Sequence, residues 1–106
     1  MKIVTTPTIE GYKVTKVIGV VSGSTVRAKN VGRDIIAAFK NLVGGEITEY
    51  TQLLGQSREE ALSRMISKAE GMDANAVINL RFMTSMVSQA ASEILAYGTA
   101  VVVEEQ

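Results

Sequence analysis

The run "LAYGTAVVVEEQ", Leu95 to Gln106, leaves the chain few ways to fold. Read as a strand, its odd positions are Leu95, Tyr97, Thr99, Val101 and Val103. Its even positions, counted from Ile94, are Ile94, Ala96, Gly98, Ala100 and Val102, and neither row turns strongly polar before Glu104. A strand with one wet face alternates apolar and polar residues, so this one needs cover on both sides. In a small chain one face can lie under a helix. The other must be met by a second element or a second molecule.

The remaining segments supply one such cover. "IVTT", Ile3 to Thr6, is a short β-prone run stopped by Pro7, which cannot donate to a ladder. Glu10-Gly11 reads as a turn, and valine-rich "YKVTKVIGVVS" from Tyr12 to Ser22 as a strand. Its alternation slips, with Val14, Ile18 and Val20 in one phase and Val17 and Val21 in the other, and Gly19 suggests a bulge or close backbone approach. Gly23-Ser24 breaks this strand. A short helix is then predicted, with Asn30 as N-cap, Asp34 in its first turn, an apolar stripe of Ile35, Ile36, Ala38 and Phe39, and Gly44-Gly45 at its end. Ser57 and Glu60 have capping-box spacing, and Leu62, Met65, Ile66 and Ala69 form one helical face. Gly71 ends that helix, and "EITEYTQLLGQ" extends it backwards through Gly55 into one long, kinked element. "AVINLRFMTSMV" alternates, with Ile78, Leu80 and Phe82 on one side and Asn79 and Arg81 on the other; "SQAASE" then links it to the closing strand as an antiparallel hairpin.

The 106 residues make one domain, 1–106, of α+β class with two layers: an antiparallel sheet covered by one long helix, with an extra short N-terminal strand. One helix covers one face, so the second apolar row of the closing strand predicts self-association in a closed ring. The alternative is that the N-terminal strand curls over that face.

Composition removes several functions. Lys plus Arg equals Asp plus Glu, 11 each, so no excess charge draws the chain to nucleic acid or acidic membranes. No apolar run reaches the ~18 residues of a membrane span, and no signal peptide is evident, so the expected location is cytoplasmic. Cysteine and histidine are both absent, which removes thiol chemistry, the commonest general base and the commonest transition-metal ligand.

The ordered segments "VTTPTIEG", "GVVSGSTVRAKNVGRDI", "VGGEITEY", "SREEAL", "DANAV" and "YGTAVVVE" resemble the YbjQ-like family, small bacterial and archaeal proteins often labelled heavy-metal-binding. The resemblance spans nearly the whole chain. It implies a dodecin-like β-α-β-β subunit with added short strands, assembled as a homo-oligomer, typically a pentameric ring. The sequence departs from the family pattern at Asn79-Leu80-Arg81-Phe82-Met83, where a cation stands in a stretch that is often acidic, and at the hairpin loop, which is usually glycine-rich.

No catalytic constellation emerges. Soft ions want thiolate or imidazole, and only the thioethers of Met65, Met72, Met83 and Met86 remain. A hard cation would need carboxylates such as Asp34, Glu46 and Glu49, which read more simply as a helix-capping Asp and solvated helix-start glutamates. Backbone amides near Gly23, with Arg27 and Arg33, offer an anion cradle, although such glycines more often serve a tight turn and close packing between subunits. Arg33 and Asp34 are adjacent on a helix and point apart, which suits each to reach a neighbouring chain. Scattered aromatics and no tryptophan make flavin stacking a poor fit. The interface or ligand candidates are therefore Gly23, Asn30, Arg33, Asp34, Gly44, Gly45 and Tyr50. No catalytic residue, metal ligand or cofactor is assigned. The expected function is a non-enzymatic homo-oligomeric ring that binds a small ligand, ion or partner, or acts as a scaffold. The alternative is metal-ion binding by carboxylates at subunit interfaces.

Overall fold

The computed structural model describes residues 1–27, 48–88 and 91–106. Its elements are β1 (Lys2–Ile3), β2 (Tyr12–Arg27), α1 (Thr48–Gly71), β3 (Ala76–Ser88) and β4 (Ala91–Glu105). The strands form one sheet in the order β1-β3-β4-β2, and α1 packs on one face of it. β4 is antiparallel to both neighbours, while β1 runs parallel to β3, so the sheet is mixed and not wholly antiparallel as expected. The parallel pairing follows from topology: the chain reaches β3 from β1 only after crossing β2 and α1, which returns it in the same direction. The short helix expected after Asn30 lies outside the described residues.

Strand β2 does not break at Gly23-Ser24. It continues to Arg27, paired throughout with β4 from Tyr12↔Glu105 to Arg27↔Ser92. Two register shifts, at Val14/Lys16 and Val17/Gly19, explain the slipped alternation. They place Val14, Val17 and Val20 opposite Val103, Val101 and Thr99, and move Val21 to the other face, opposite Gly98. Gly19 at φ 148° is the residue that permits the second shift, as its position in the sequence suggests. The turn at Glu10-Gly11 is also present, with Gly11 at φ 82° and the Tyr12 amide donating to the Ile9 carbonyl.

Helix α1 runs unbroken through Gly55 as one long element. Ala61, Met65 and Ala69 are fully buried against Val21, Val77, Leu80, Ile94, Ala96 and Ala100, with Leu62 and Ile66 half-buried beside them. Ser57 is buried within the helix rather than capping it, because the helix begins nine residues earlier, at Thr48. The C-terminal stop is sharper than Gly71 alone. Asp73 adopts φ 64°, its amide donates to Glu70 O, and the Ala74 amide donates to Ala69 O. These are the two bonds of a Schellman motif, with an aspartate in the left-handed position that glycine usually fills.

Strand β3 carries a bulge of its own. Asn79 sits at φ 55° and the register shifts between Ile78 and Arg81. Ile78 and Leu80 therefore face opposite sides, contrary to simple alternation: Ile78 joins Ala76, Val101 and Val103, while Leu80 joins the core under α1. The molecule measures 54 Å along its longest axis, and a strand of 16 residues such as β2 spans up to about 50 Å at about 3.3 Å per residue.

Candidate functional site

Both apolar rows of β4 are used. The even row, Ile94, Ala96, Gly98 and Ala100, lies under α1. On the outer face the odd row divides in two. Its proximal half, Val101 and Val103, is buried with Ala76 and Ile78 beneath Val4 and Ile9 of the N-terminal segment and Tyr12 at the start of β2. The alternative cover is thus real for this half. It is fastened by the Val4 amide on Val77 O, the Asn79 amide on Thr6 O and the Leu80 amide on Val4 O. Arg81 completes the fastening, donating through Nη1 to the carbonyls of Thr5 and Leu80 at 2.8 Å each. Arg81 is thus a clamp on the N-terminal segment. Lys2 adds a contact over the Tyr12 ring, 4.5 Å from its centroid.

The distal half has no such cover among the described residues. Val20, Val26, Met83 and Tyr97 line the outer face there, with Val20 80% exposed, and Val17, opposite Val101, is exposed beside the covered half. On the helix side, beyond α1, Phe82 and Met86 are exposed as well. This cluster of large apolar side chains at one end of the sheet is the most unusual surface the described residues present.

Gly23 serves packing, but the packing shown is of α1 on β2 within the chain and not a tight turn. A Cβ at this position would stand 2.5 Å from Ala61 O and 2.8 Å from Arg64 C, and closer still to Met65 N. The helix backbone therefore rests directly on the strand. Arg64 secures the crossing by donating to Ser24 O at 2.7 Å. Tyr50 lies in the first turn of α1. Asn30, Arg33, Asp34, Gly44 and Gly45 lie outside the described residues.

Two features of this region carry no signal in the sequence pattern. Asn75 precedes β3 and behaves as a strand residue through its side chain: Nδ2 donates to Val103 O at 2.9 Å, and the Val103 amide donates to Oδ1 at 2.8 Å. Gly98 sits where a Cβ would meet Val77 Cγ1 at 2.7 Å and Ile78 O at 2.9 Å, so β4 tucks against the β3 bulge only without a side chain. Thr25 is a third case. It is 2% exposed, and its Oγ1 has no hydrogen-bond partner among the described residues. A buried unpaired hydroxyl costs about 1–3 kcal/mol, so Thr25→Val, which keeps the branched shape, is expected to raise the thermal unfolding midpoint by several degrees. An unchanged or lower midpoint in scanning calorimetry would show that the hydroxyl is satisfied.

The donor set argues against a soft metal. Met65 is fully buried in the core and Met72 packs against it. Met83 and Met86 pair with Leu95 and Ser92, neighbours of opposite parity on β4, so their side chains leave opposite faces of the sheet and cannot share an ion within a protomer. No group of three or more Asp or Glu side chains suited to a cation occurs among the described residues. No helix among them is long and apolar enough to cross a membrane.

The fold and this surface define a two-layer α+β chain whose sheet is covered on one face and, among the described residues, only half covered on the other. The chain belongs to the YbjQ-like family: the family model, described as "Putative heavy-metal-binding", matches residues 1–104. A UPF0145 protein of Clostridioides difficile is 56% identical over 105 residues, covering 99% of this chain and 94% of that one. One from Pyrococcus furiosus is 54% identical over 104 residues, covering 98% and 91%. Among solved structures, a DUF74-family protein of unknown function from Pediococcus pentosaceus superposes with a TM-score of 0.63 at 21% identity, covering 98% of both chains, and supports the fold alone.

Proposed function

We propose that this chain is a dodecin-like subunit of a closed homo-oligomeric ring, a pentamer, which works in the cytoplasm by binding or scaffolding and not as an enzyme. The observation that carries this reading is the distal half of the sheet, uncovered among the described residues, where Val20, Val26, Met83 and Tyr97 face outward together. Patches of this kind on soluble proteins mark association surfaces. The elongated shape agrees: the radius of gyration is 17.0 Å, whereas a compact domain of this length has about 13 Å. A subunit that completes its core by contact with its neighbours has no need to be compact alone.

Native mass spectrometry of untagged protein, purified without added metal, tests the proposal. The expected result is one species of five subunits. Any retained mass identifies the class of ligand the ring carries, and a bare ring directs attention to protein partners. A stable monomer at micromolar concentration would overturn the reading.

A further inference from the structure

Among the described residues the sheet has two open edges at the same end. β2 pairs only with β4, so its outer edge is free along its length among the described residues. β3 is covered on its outer edge as far as Leu80 by the N-terminal segment, and is free of described partners from there to Ser88.

These edges match in four respects. Past the Gly19 bulge, β2 is regular from Val20, and past the Asn79 bulge, β3 is regular from Arg81 to Met86, so each offers an uninterrupted stretch of similar length. Neither Val17 to Val26 nor Phe82 to Ser88 contains a charged residue or a proline, the usual protections of a free edge. Such protections occur on the proximal part of β2 instead, as Lys13, Lys16 and two register shifts. Heights also agree, because Val20 to Val26 lie opposite Thr99 to Glu93 while Phe82 to Met86 lie opposite Ala96 to Ser92. Finally, β2 and β3 are both antiparallel to β4 and hence parallel to each other.

Resting on the ring reading, we infer that the distal edge of β3 in one protomer pairs in parallel with the distal edge of β2 in the next copy of the same chain. The sheets then continue from subunit to subunit. Rotation about an axis along the strands brings one edge beside the other without axial displacement, which is the condition for a head-to-tail contact to close into a ring rather than a filament. The flanking side chains fit the same arrangement. Val20, Val26 and Met83 project on the outer face, Phe82 and Met86 on the other, and all are exposed in the protomer.

The chain has no cysteine of its own, so cross-linking can be read cleanly. Val26 and Ser85 both lie level with Glu93 of β4, and neighbouring parallel strands bring such positions within disulfide reach. The doubly substituted full chain, Val26→Cys with Ser85→Cys, is oxidised and run on a non-reducing denaturing gel beside each single variant. Native mass spectrometry is recorded on all three. The expected result is a ladder of covalent oligomers up to the ring size for the double variant and none for the singles. A ring that yields no ladder overturns this interface while leaving the ring reading in place. Covalent dimers from Val26→Cys alone would mean two-fold pairing of β2 with β2, which also overturns it. A monomer in the mass spectrum overturns the ring and the interface together. As a second variant, Val20→Lys with Met86→Lys changes only exposed positions. It is expected to abolish the ring while leaving the protomer's circular dichroism unaltered, and an intact ring counts against the interface.

Discussion

Gly23→Ala is expected to destabilise the protein by about 3 kcal/mol or more, the upper range for overpacking a well-fitted interior. The reason is that the atoms in the way are backbone. Met65 N, Ala61 O and Arg64 C all belong to α1, and no side-chain rotation relieves the contact. The helix must lift from β2, which loosens the Arg64 bond to Ser24 O and opens the core around Met65 and Ala96. Urea unfolding at matched protein concentration measures the effect, with the concentration held fixed because association adds to apparent stability. Gly71→Ala provides the contrast: a methyl placed there meets nothing within 4 Å, and alanine is the better helix former by up to about 1 kcal/mol. Equal stability of Gly23→Ala and the native chain would mean that the helix does not rest on the strand.

Asn75→Ala should cost about 2 kcal/mol, since it leaves both the amide and the carbonyl of Val103 without their partner in a half-buried setting. Its signature is local. The Val103 amide, protected by Asn75 Oδ1 in the native chain, is expected to exchange with solvent far faster in the variant, while amides under α1 change little. Asn75→Asp separates the two bonds, because a carboxylate accepts from the Val103 amide but has no proton to give to its carbonyl. Protection at Val103 that persists in Asn75→Ala would assign the amide another partner.

Much of this architecture is legible in particular residues. Leu62, Met65, Ile66 and Ala69 name the helix face, Gly19 the bulge, Glu10-Gly11 the turn, and the two apolar rows of β4 the need for cover on both sides. The departures have a common physical origin. Gly23 reads as a strand break because glycine is permissive, yet here its use is to let a helix approach, which depends on Ala61 and Met65 far along the chain. Ser57 and Glu60 have capping-box spacing, but spacing does not reveal that the helix has already begun at Thr48. Asn79 at φ 55° shifts the phase of β3, and a period-two pattern has no means of registering a bulge at a residue other than glycine. Arg81 looks like a departure from a binding pattern. Its partner, the Thr5 carbonyl, lies 76 residues away and belongs to the backbone, which carries no signal in residue types. The candidates at Asn30, Arg33, Asp34, Gly44 and Gly45 fall outside the described residues, so Gly23 is the candidate whose surroundings are defined in atomic detail.

The central place of β4 has a consequence for synthesis. β2 pairs with β4 from Tyr12↔Glu105 onward, and β3 is also its neighbour, so neither long strand has its lasting partner until β4 has been made. A ribosome must therefore translate past Glu105 before the sheet can close, and until then the valine-rich β2 waits unpaired. Because long-range pairing is slow to form, the sheet closes only once β4 has emerged and does not assemble strand by strand.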